Sequence, residues 1–177
     1  KTDDYTTVAH AHGLSADTTY YYNLFVDGTQ INTKPYNFTT YPSEDNTSDF
    51  LVAFGGGAGY TPEHEYMWNT ISNYDLSAFL ALGDNVYIDT PKVPETQKYC
   101  YYRRQSRPEY RALTHRVPFY SIWDDHDFGE NDCTSSTALD KPAWKPDVLD
   151  VFSENLANPF YGQGIENPGT YHNFSIG

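Results

Sequence analysis

A chain of 177 residues with a formal net charge of −13, from 24 acidic against 11 basic side chains, is sized for one ordinary domain or a domain plus a fragment. So acidic a surface repels nucleic-acid phosphates and anionic membranes, and no run of about 18 apolar residues is present to cross a bilayer. The balance suits a secreted protein, periplasmic or extracellular, that meets divalent cations, and Tyr (17) with Phe (10) supplies the apolar area for a core.

The opening KTDDYTT carries no secretory signal and reads as a mature or trimmed start. Residues 1–42 alternate in the manner of β-strands. TTVAHAHGL alternates weakly and stops at Gly13. TTYYYNLFVDGTQ is rich in aromatic and β-branched residues and turns at Asp27-Gly28, a hairpin signal. KPYNFTTYP is a third run. Three strands are too few for a closed sandwich, so the segment is either a small sheet or the tail of a larger one. The polar stretch YPSEDNTSD, which includes residues 43–49, reads as a linker.

From residue 50 to 177 the pattern changes. FLVAF (50–54) is a short apolar run of the kind buried on both faces of a sheet, and GGGAG follows it. TPEHEYMWNTISNY then reads as a helix, with Thr61 as N-cap, Pro62 at its first position, and Met67, Ile71 and Tyr74 at helical spacing. AFLALGD (78–84) is a second buried run, so strand, glycine turn, helix and strand make a βαβ unit with a parallel sheet. Residues 96–116 read as helix broken near Pro108, and VPFYSIW (117–123) as a third strand. STALDKPAWKPD is loop-like, VLDVFSENLA a short helix, NPFYGQGIENPG turn-rich, and TYHNFSIG a further strand.

Ligands of an open parallel sheet bind outside the carboxyl ends of its strands. Three motifs fall there: Gly55 to Gly59, GDNVYID with Asp84, Tyr87 and Asp89, and WDDHD with Asp124 to Asp127. Carboxylates crowded that closely repel one another, and a cation offsets the repulsion. Carboxylate and phenolate oxygens are hard donors for Ca²⁺, Mg²⁺, Mn²⁺ or Fe³⁺. A metal lowers the pKa of bound water, and two metals can hold both attacking and leaving oxygens of a phosphoryl transfer. Asp84 is placed to bridge two ions, Asp125 to complete one, and His126 to steady the transition state or protonate the leaving group. N–H groups of Gly56 and Gly57 can cradle an anion where a helix begins. The competing readings are a solvated acidic turn, an ordinary glycine turn and a core role for Tyr87.

Arg103, Arg104, Arg107 and Arg111 form the only sizeable basic patch. It either grips an anionic substrate or pairs with local carboxylates. Cys100 and Cys133 are an even pair, which permits a disulfide and equally permits two buried thiols. Asn37, Asn46 and Asn173 sit in N-x-S/T triplets that matter only where glycosylation occurs. His10 and His12 share a strand face far along the chain from the carboxylates, and PEHEYMW is not HExxH, which leaves His64 on a helix surface.

FLALGDNVYID and YYRRQSRPEYRALTHRVPFYSIWDDHDFGENDC resemble the alkaline phosphatase D family of calcineurin-like metallophosphoesterases, in which GDxxY is followed by WDDH. HGLSADTTYYYNLFVDG resembles the end of the immunoglobulin-like domain that precedes the catalytic domain there. The resemblance covers nearly the whole chain, as the middle of a longer protein. It implies an α/β fold: a β-sandwich of two mixed sheets flanked by helices, preceded by the last strands of an immunoglobulin-like domain. It also implies hydrolysis of phosphomonoesters or phosphodiesters outside the cytoplasm, with iron and calcium bound; Mg²⁺, Mn²⁺ or Zn²⁺ are the other candidates. Asp84, Tyr87 and Asp125 match metal-ligand positions, and His126 matches the histidine of an Asn-His motif whose Asn is replaced by Asp125. The family often places a cysteine ligand after the first strand, where this chain has GGGAG. Its later metal-binding histidines have no counterpart here, and His172 does not fit their pattern.

Two expectations follow. The first is a metal-dependent phosphoester hydrolase. The second is an assembly protein that reuses the fold, its sheet edges completed by the rest of the polypeptide or by neighbouring chains.

Overall fold

A computed structural model describes residues 5–134, 136 and 141–177, so the loop expected over 136–147 lies partly outside the described residues. Its central element is a three-stranded parallel sheet of order β5-β6-β7, built from β5 (Val52–Gly55), β6 (Ala78–Leu82) and β7 (Phe119–Ile122). Val52 pairs with Ala78 and Phe79 with Phe119, so the three strands end level with one another. Their carboxyl ends are Gly55, Leu82 and Ile122, and the glycine turn, GDNVYID and WDDHD all leave from that edge.

The crossover from β5 to β6 is less helical than its sequence suggests. Thr61 and Pro62 start only a single 3-10 turn, Pro62–His64, and the Thr61 side chain makes no cap bond. The helix α1 is confined to Met67–Ser72. Trp68 is its buried residue, Met67 and Ile71 pack partly, and Tyr74 lies past the helix end and is exposed. The β6–β7 crossover holds α2 (Pro94–Gln105) and α3 (Pro108–Thr114), broken where Pro108 opens the second helix. After β7 come the one-turn α4 (Asp125–Phe128) and α5 (Lys145–Asn155).

Two apolar clusters hold these layers together. Trp68, Phe79, Tyr110, Leu113 and Val117 pack α1 and α3 onto the sheet, and Phe79 stacks on Phe119 at 4.8 Å between ring centres. Tyr101, Phe128, Val148, Val151 and Phe152 join α2, α4 and α5, with Val86 and Ile88 from the loop after β6. That second cluster anchors the GDNVYID loop to the helices behind it. FLVAF is not buried on both faces: Phe54 is 72% exposed, on a face of the edge strand β5 that no described residue covers.

Before the parallel sheet, β1 (Thr19–Tyr22) pairs antiparallel with β4 (Tyr36–Thr39), and β2 (Phe25–Val26) with β3 (Thr29–Gln30). Asp27 and Gly28 have φ of 47° and 76°, the left-handed pair that a two-residue hairpin turn requires. No strand forms over 6–14, where alternation was weak. The two ribbons are separate two-stranded sheets, not one. They are tied to the larger unit by Tyr22 Oη, which donates to the His115 carbonyl at 2.9 Å, and by Tyr41 Oη, which donates to that of Ser77 at 3.1 Å. Residues 171–177 are extended without pairing as a strand; Phe174 instead stacks on Tyr120 at 3.8 Å.

Candidate metal centre

The site begins with a glycine where a side chain would collide with the neighbouring loop. Gly83, directly after β6, has φ of +107°, and a Cβ there would lie 2.5 Å from Asp124 Cβ and 3.0 Å from the Asp124 nitrogen. The missing side chain lets the end of β6 meet the end of β7. Asp84 follows with φ of 50°, a left-handed conformation that aspartate tolerates better than most residues. On the β7 side, Asp124 is the N-cap of α4, and its Oδ1 accepts from the Asp125 N–H at 2.9 Å. Asp125 and His126 therefore leave the first turn of α4 facing Asp84.

Asp84, Asp125 and His126 each offer a ligand atom, and these atoms all lie within 4.8 Å of one another. Tyr87 Oη donates to Asp84 Oδ2 at 3.2 Å, and its ring centre is 4.1 Å from that of His126. Asp84 Oδ1 is buried and has no hydrogen-bond partner among the described residues. Burial raises the Asp84 carboxyl pKa and Asp125 adds to the rise, while the Tyr87 hydroxyl opposes it. Asp125 is held low by the Asp132 N–H, which donates to its Oδ2. The Tyr87 phenol is raised, by burial first and then by Asp84.

His126 Nδ1 lies 2.7 Å from Asp89 Oδ1, which leaves Nε2 for the centre. Burial would lower the His126 pKa, but Asp89, Asp125 and Asp84 outweigh it and the net shift is upward. A hard cation suits this donor set. It would take up the orphaned Asp84 oxygen and offset two facing carboxylates, and one imidazole among oxygens is compatible with Mn²⁺, Fe³⁺ or Zn²⁺.

Neither family models nor curated protein sequences match the chain. Solved structures do. The structure of PhoD superimposes with a TM-score of 0.75 at 15% identity over 93% of this chain and 36% of that one. The chain shares its fold with PhoD. The purple acid phosphatase PPD1 from yellow lupin (Lupinus luteus) seeds superimposes with a TM-score of 0.53 at 17% identity, over 79% of this chain and 26% of that one. The chain thus spans about a third of the first structure and a quarter of the second. No described helix is long and apolar enough to cross a membrane.

The remaining predicted site residues divide. Arg103 lies over the Tyr60 ring at 4.1 Å and near Tyr99 at 5.7 Å, partly exposed. Cys100, one helical turn earlier, is bonded through Sγ to the Tyr87 carbonyl at 3.4 Å, which keeps this face of α2 beside the centre. Arg104 is 3% exposed and committed elsewhere: its Nε is 3.1 Å from Glu65 Oε2, and its Nη2 donates to the Ala58 carbonyl at 2.6 Å. A side chain so engaged holds the glycine turn against α2.

Gly56 and Gly57 serve loop contact. A Cβ on Gly56 would press to 3.2 Å from the Gly83 carbonyl, and the N–H groups of Gly57 and Ala58 donate to the carbonyls of Gly83 and Asp84 at 3.4 and 3.2 Å. The Gly57 N–H of the expected anion cradle is thus taken up by the backbone. Cys100 and Cys133 are free thiols rather than a disulfide. Cys133 Sγ accepts from the Glu130 N–H at 3.3 Å, on the loop after α4, while Cys100 faces Tyr87. Burial raises both thiol pKa values. His64, His10 and His12 are exposed and stand outside the cluster.

The role of Asp127 was not anticipated. It is fully buried at 0% exposure and bonds to the loop after β6. The available signal was the D-x-x-D spacing from Asp124, that of a capping box. Its reach across to residues 85 and 86 had no sequence signature.

Proposed function

We propose that the chain carries part of the active centre of a secreted, metal-dependent phosphoester hydrolase. The observation that supports this best is the convergence of Asp84, Asp125 and His126 within 4.8 Å at the strand ends of a PhoD-like fold. Asp84 and Asp125 hold the cation, with Tyr87 steadying Asp84 or joining as a ligand. A bound cation of this class supplies water of lowered pKa and charge for the phosphoryl oxygens. His126, fixed through Nδ1 by Asp89, presents Nε2 as a further ligand or as the proton donor to the leaving oxygen. Arg103, held flat by Tyr60, offers its guanidinium to the phosphate. Calcium and iron are the metals the sequence resemblance favours, and a phosphate monoester or diester is the substrate.

The test is hydrolysis of p-nitrophenyl phosphate and bis(p-nitrophenyl) phosphate, with added Ca²⁺, Mn²⁺ or Fe³⁺ and with chelator. Activity that disappears with chelator and in Asp125→Ala supports the hydrolase. A complete lack of turnover in the full-length protein with every metal removes it.

A second reading, a non-catalytic assembly protein, draws on exposed apolar side chains of the parallel sheet. Phe54, Leu82 and Ile122 are 72%, 47% and 37% exposed there. Further polypeptide, from the same protein or a neighbouring copy, would cover them. Sedimentation of an inactive protein as a higher oligomer is the result that favours this reading.

A further inference from the structure

Asp127 is a buried carboxylate that the proposed chemistry does not use, and it sits between the two loops that carry the candidate ligands. Its Oδ1 accepts from the Val86 N–H at 2.9 Å. Its Oδ2 accepts from Asn85 Nδ2 and from the Asp124 N–H, each at 3.1 Å. Asn85 Nδ2 also donates to the Ile122 carbonyl at 2.8 Å, the last residue of β7. Asp84 immediately precedes the two loop donors, and Asp125 and His126 lie between Asp124 and Asp127. The carboxylate therefore ties down the residues flanking every candidate ligand.

An N-cap partner needs only the Asp124 contact. The bonds to Asn85 and Val86 reach across 42 and 41 residues of chain and fix one loop against the other. Only a carboxylate accepts on both oxygens; whichever way an amide is turned, its NH₂ faces at least one N–H donor.

We propose that Asp127 is a positioning residue: it sets the separation of Asp84 from Asp125 and His126, and so tunes the metal affinity of the centre. This rests on the metal-centre reading above and adds a residue to it. Supporting groups behind metal ligands cost about 10–100-fold in affinity when removed.

The experiment is Mn²⁺ binding by titration calorimetry, with urea unfolding and amide hydrogen exchange on the same proteins. Asp127→Asn is expected to weaken Mn²⁺ binding about 10–100-fold. Its Val86 and Asp124 amides should exchange faster while the β6 amides stay protected. Leu113→Ala, which opens the core under α3 away from both ligand-bearing loops, is the control for lost stability and should bind Mn²⁺ as the parent does. If Asp127→Asn does not fold, Asn85→Ala removes one arm of the brace and should weaken binding several-fold. Equal Mn²⁺ affinity in the parent and in the folded Asp127 or Asn85 variant overturns the proposal and leaves the metal centre intact. Weakening that Leu113→Ala reproduces overturns it as well, as a stability effect. No Mn²⁺ binding by the parent sinks the metal reading and this inference together.

Discussion

Asp89 and His126 are 37 residues apart in the chain and 2.7 Å apart in the fold. With a carboxylate opposite, Nδ1 carries the proton and donates, so the ring is held in one tautomer and Nε2 is the nitrogen left to act on a cation or a leaving oxygen. Asp89 itself is half exposed. Asp89→Asn should therefore leave the urea midpoint almost unchanged. Whether His126 serves as ligand or proton donor, the substitution should lower metal affinity or turnover about 10–100-fold. Calorimetry with Mn²⁺ and a phosphatase assay read the two effects. A midpoint shift as large as that of a core variant would assign Asp89 to folding instead.

The Arg104–Glu65 ion pair stabilises the turn after β5 from inside the core. The side chains are 4% and 1% exposed, and Glu65 Oε2 also accepts from Trp68 Nε1 at 3.1 Å. Removing one partner strands a charge in apolar surroundings. Glu65→Ala or Arg104→Ala should cost about 3–5 kcal/mol in urea unfolding. Replacing both with apolar residues of similar volume should recover most of that loss. A single-variant cost below about 1 kcal/mol, the range of an exposed pair, would show that water reaches it.

The sequence carried the elements whose period and punctuation agree. The hairpin at Asp27-Gly28, the three strands of the parallel sheet and the break at Pro108 all appear in the fold. The meeting of Asp84 with Asp125 and His126 was also legible, because both motifs follow apolar strands and strand ends align in a parallel sheet. Three things were not. Whether Phe54 is covered depends on what packs against an edge strand, and the FLVAF run does not encode that. The commitment of Arg104 to Glu65 joins two helical segments whose docking comes from packing around Trp68. A glycine turn reads the same whether its N–H groups face a ligand or, as with Gly57 and Ala58, a neighbouring loop.

Gly83 lies hard against Asp124, where the two ligand-bearing loops meet. An alanine there takes on a left-handed conformation, at about 1–2 kcal/mol, and drives its Cβ to 2.5 Å from Asp124 Cβ. Overpacking of that kind adds about 1–3 kcal/mol. Gly83→Ala should lower the unfolding free energy by roughly 2–5 kcal/mol, the sum of these two effects. Because Asp84 is the next residue, Mn²⁺ binding should weaken in the folded fraction too. Gly57→Ala has open space around it despite its φ of +69° and should cost only the conformational part. Urea curves of the two variants side by side separate strain from collision; equal costs would mean that the Asp124 contact relaxes freely.

Buried tyrosines set the alkaline limit of stability. The phenols of Tyr22, Tyr41, Tyr101, Tyr110 and Tyr161 are all shifted upward, in each case chiefly by burial. For Tyr41 the bond to Tyr120 adds to the shift. A phenol raised in the folded state keeps its proton where the unfolded chain has lost it. Its contribution is therefore fully present below the ordinary tyrosine pKa of about 10 and is lost as pH climbs through the folded value. Unfolding free energy should be insensitive to these groups at pH 7–9 and fall steadily above about 10. Absorbance at 295 nm should show the exposed tyrosines titrating first, and the buried set only with the loss of far-UV ellipticity. Tyr41→Phe should flatten the slope slightly at some cost from the lost Ser77 bond. Ionisation of all tyrosines near pH 10 with the fold intact would place these phenols in contact with water.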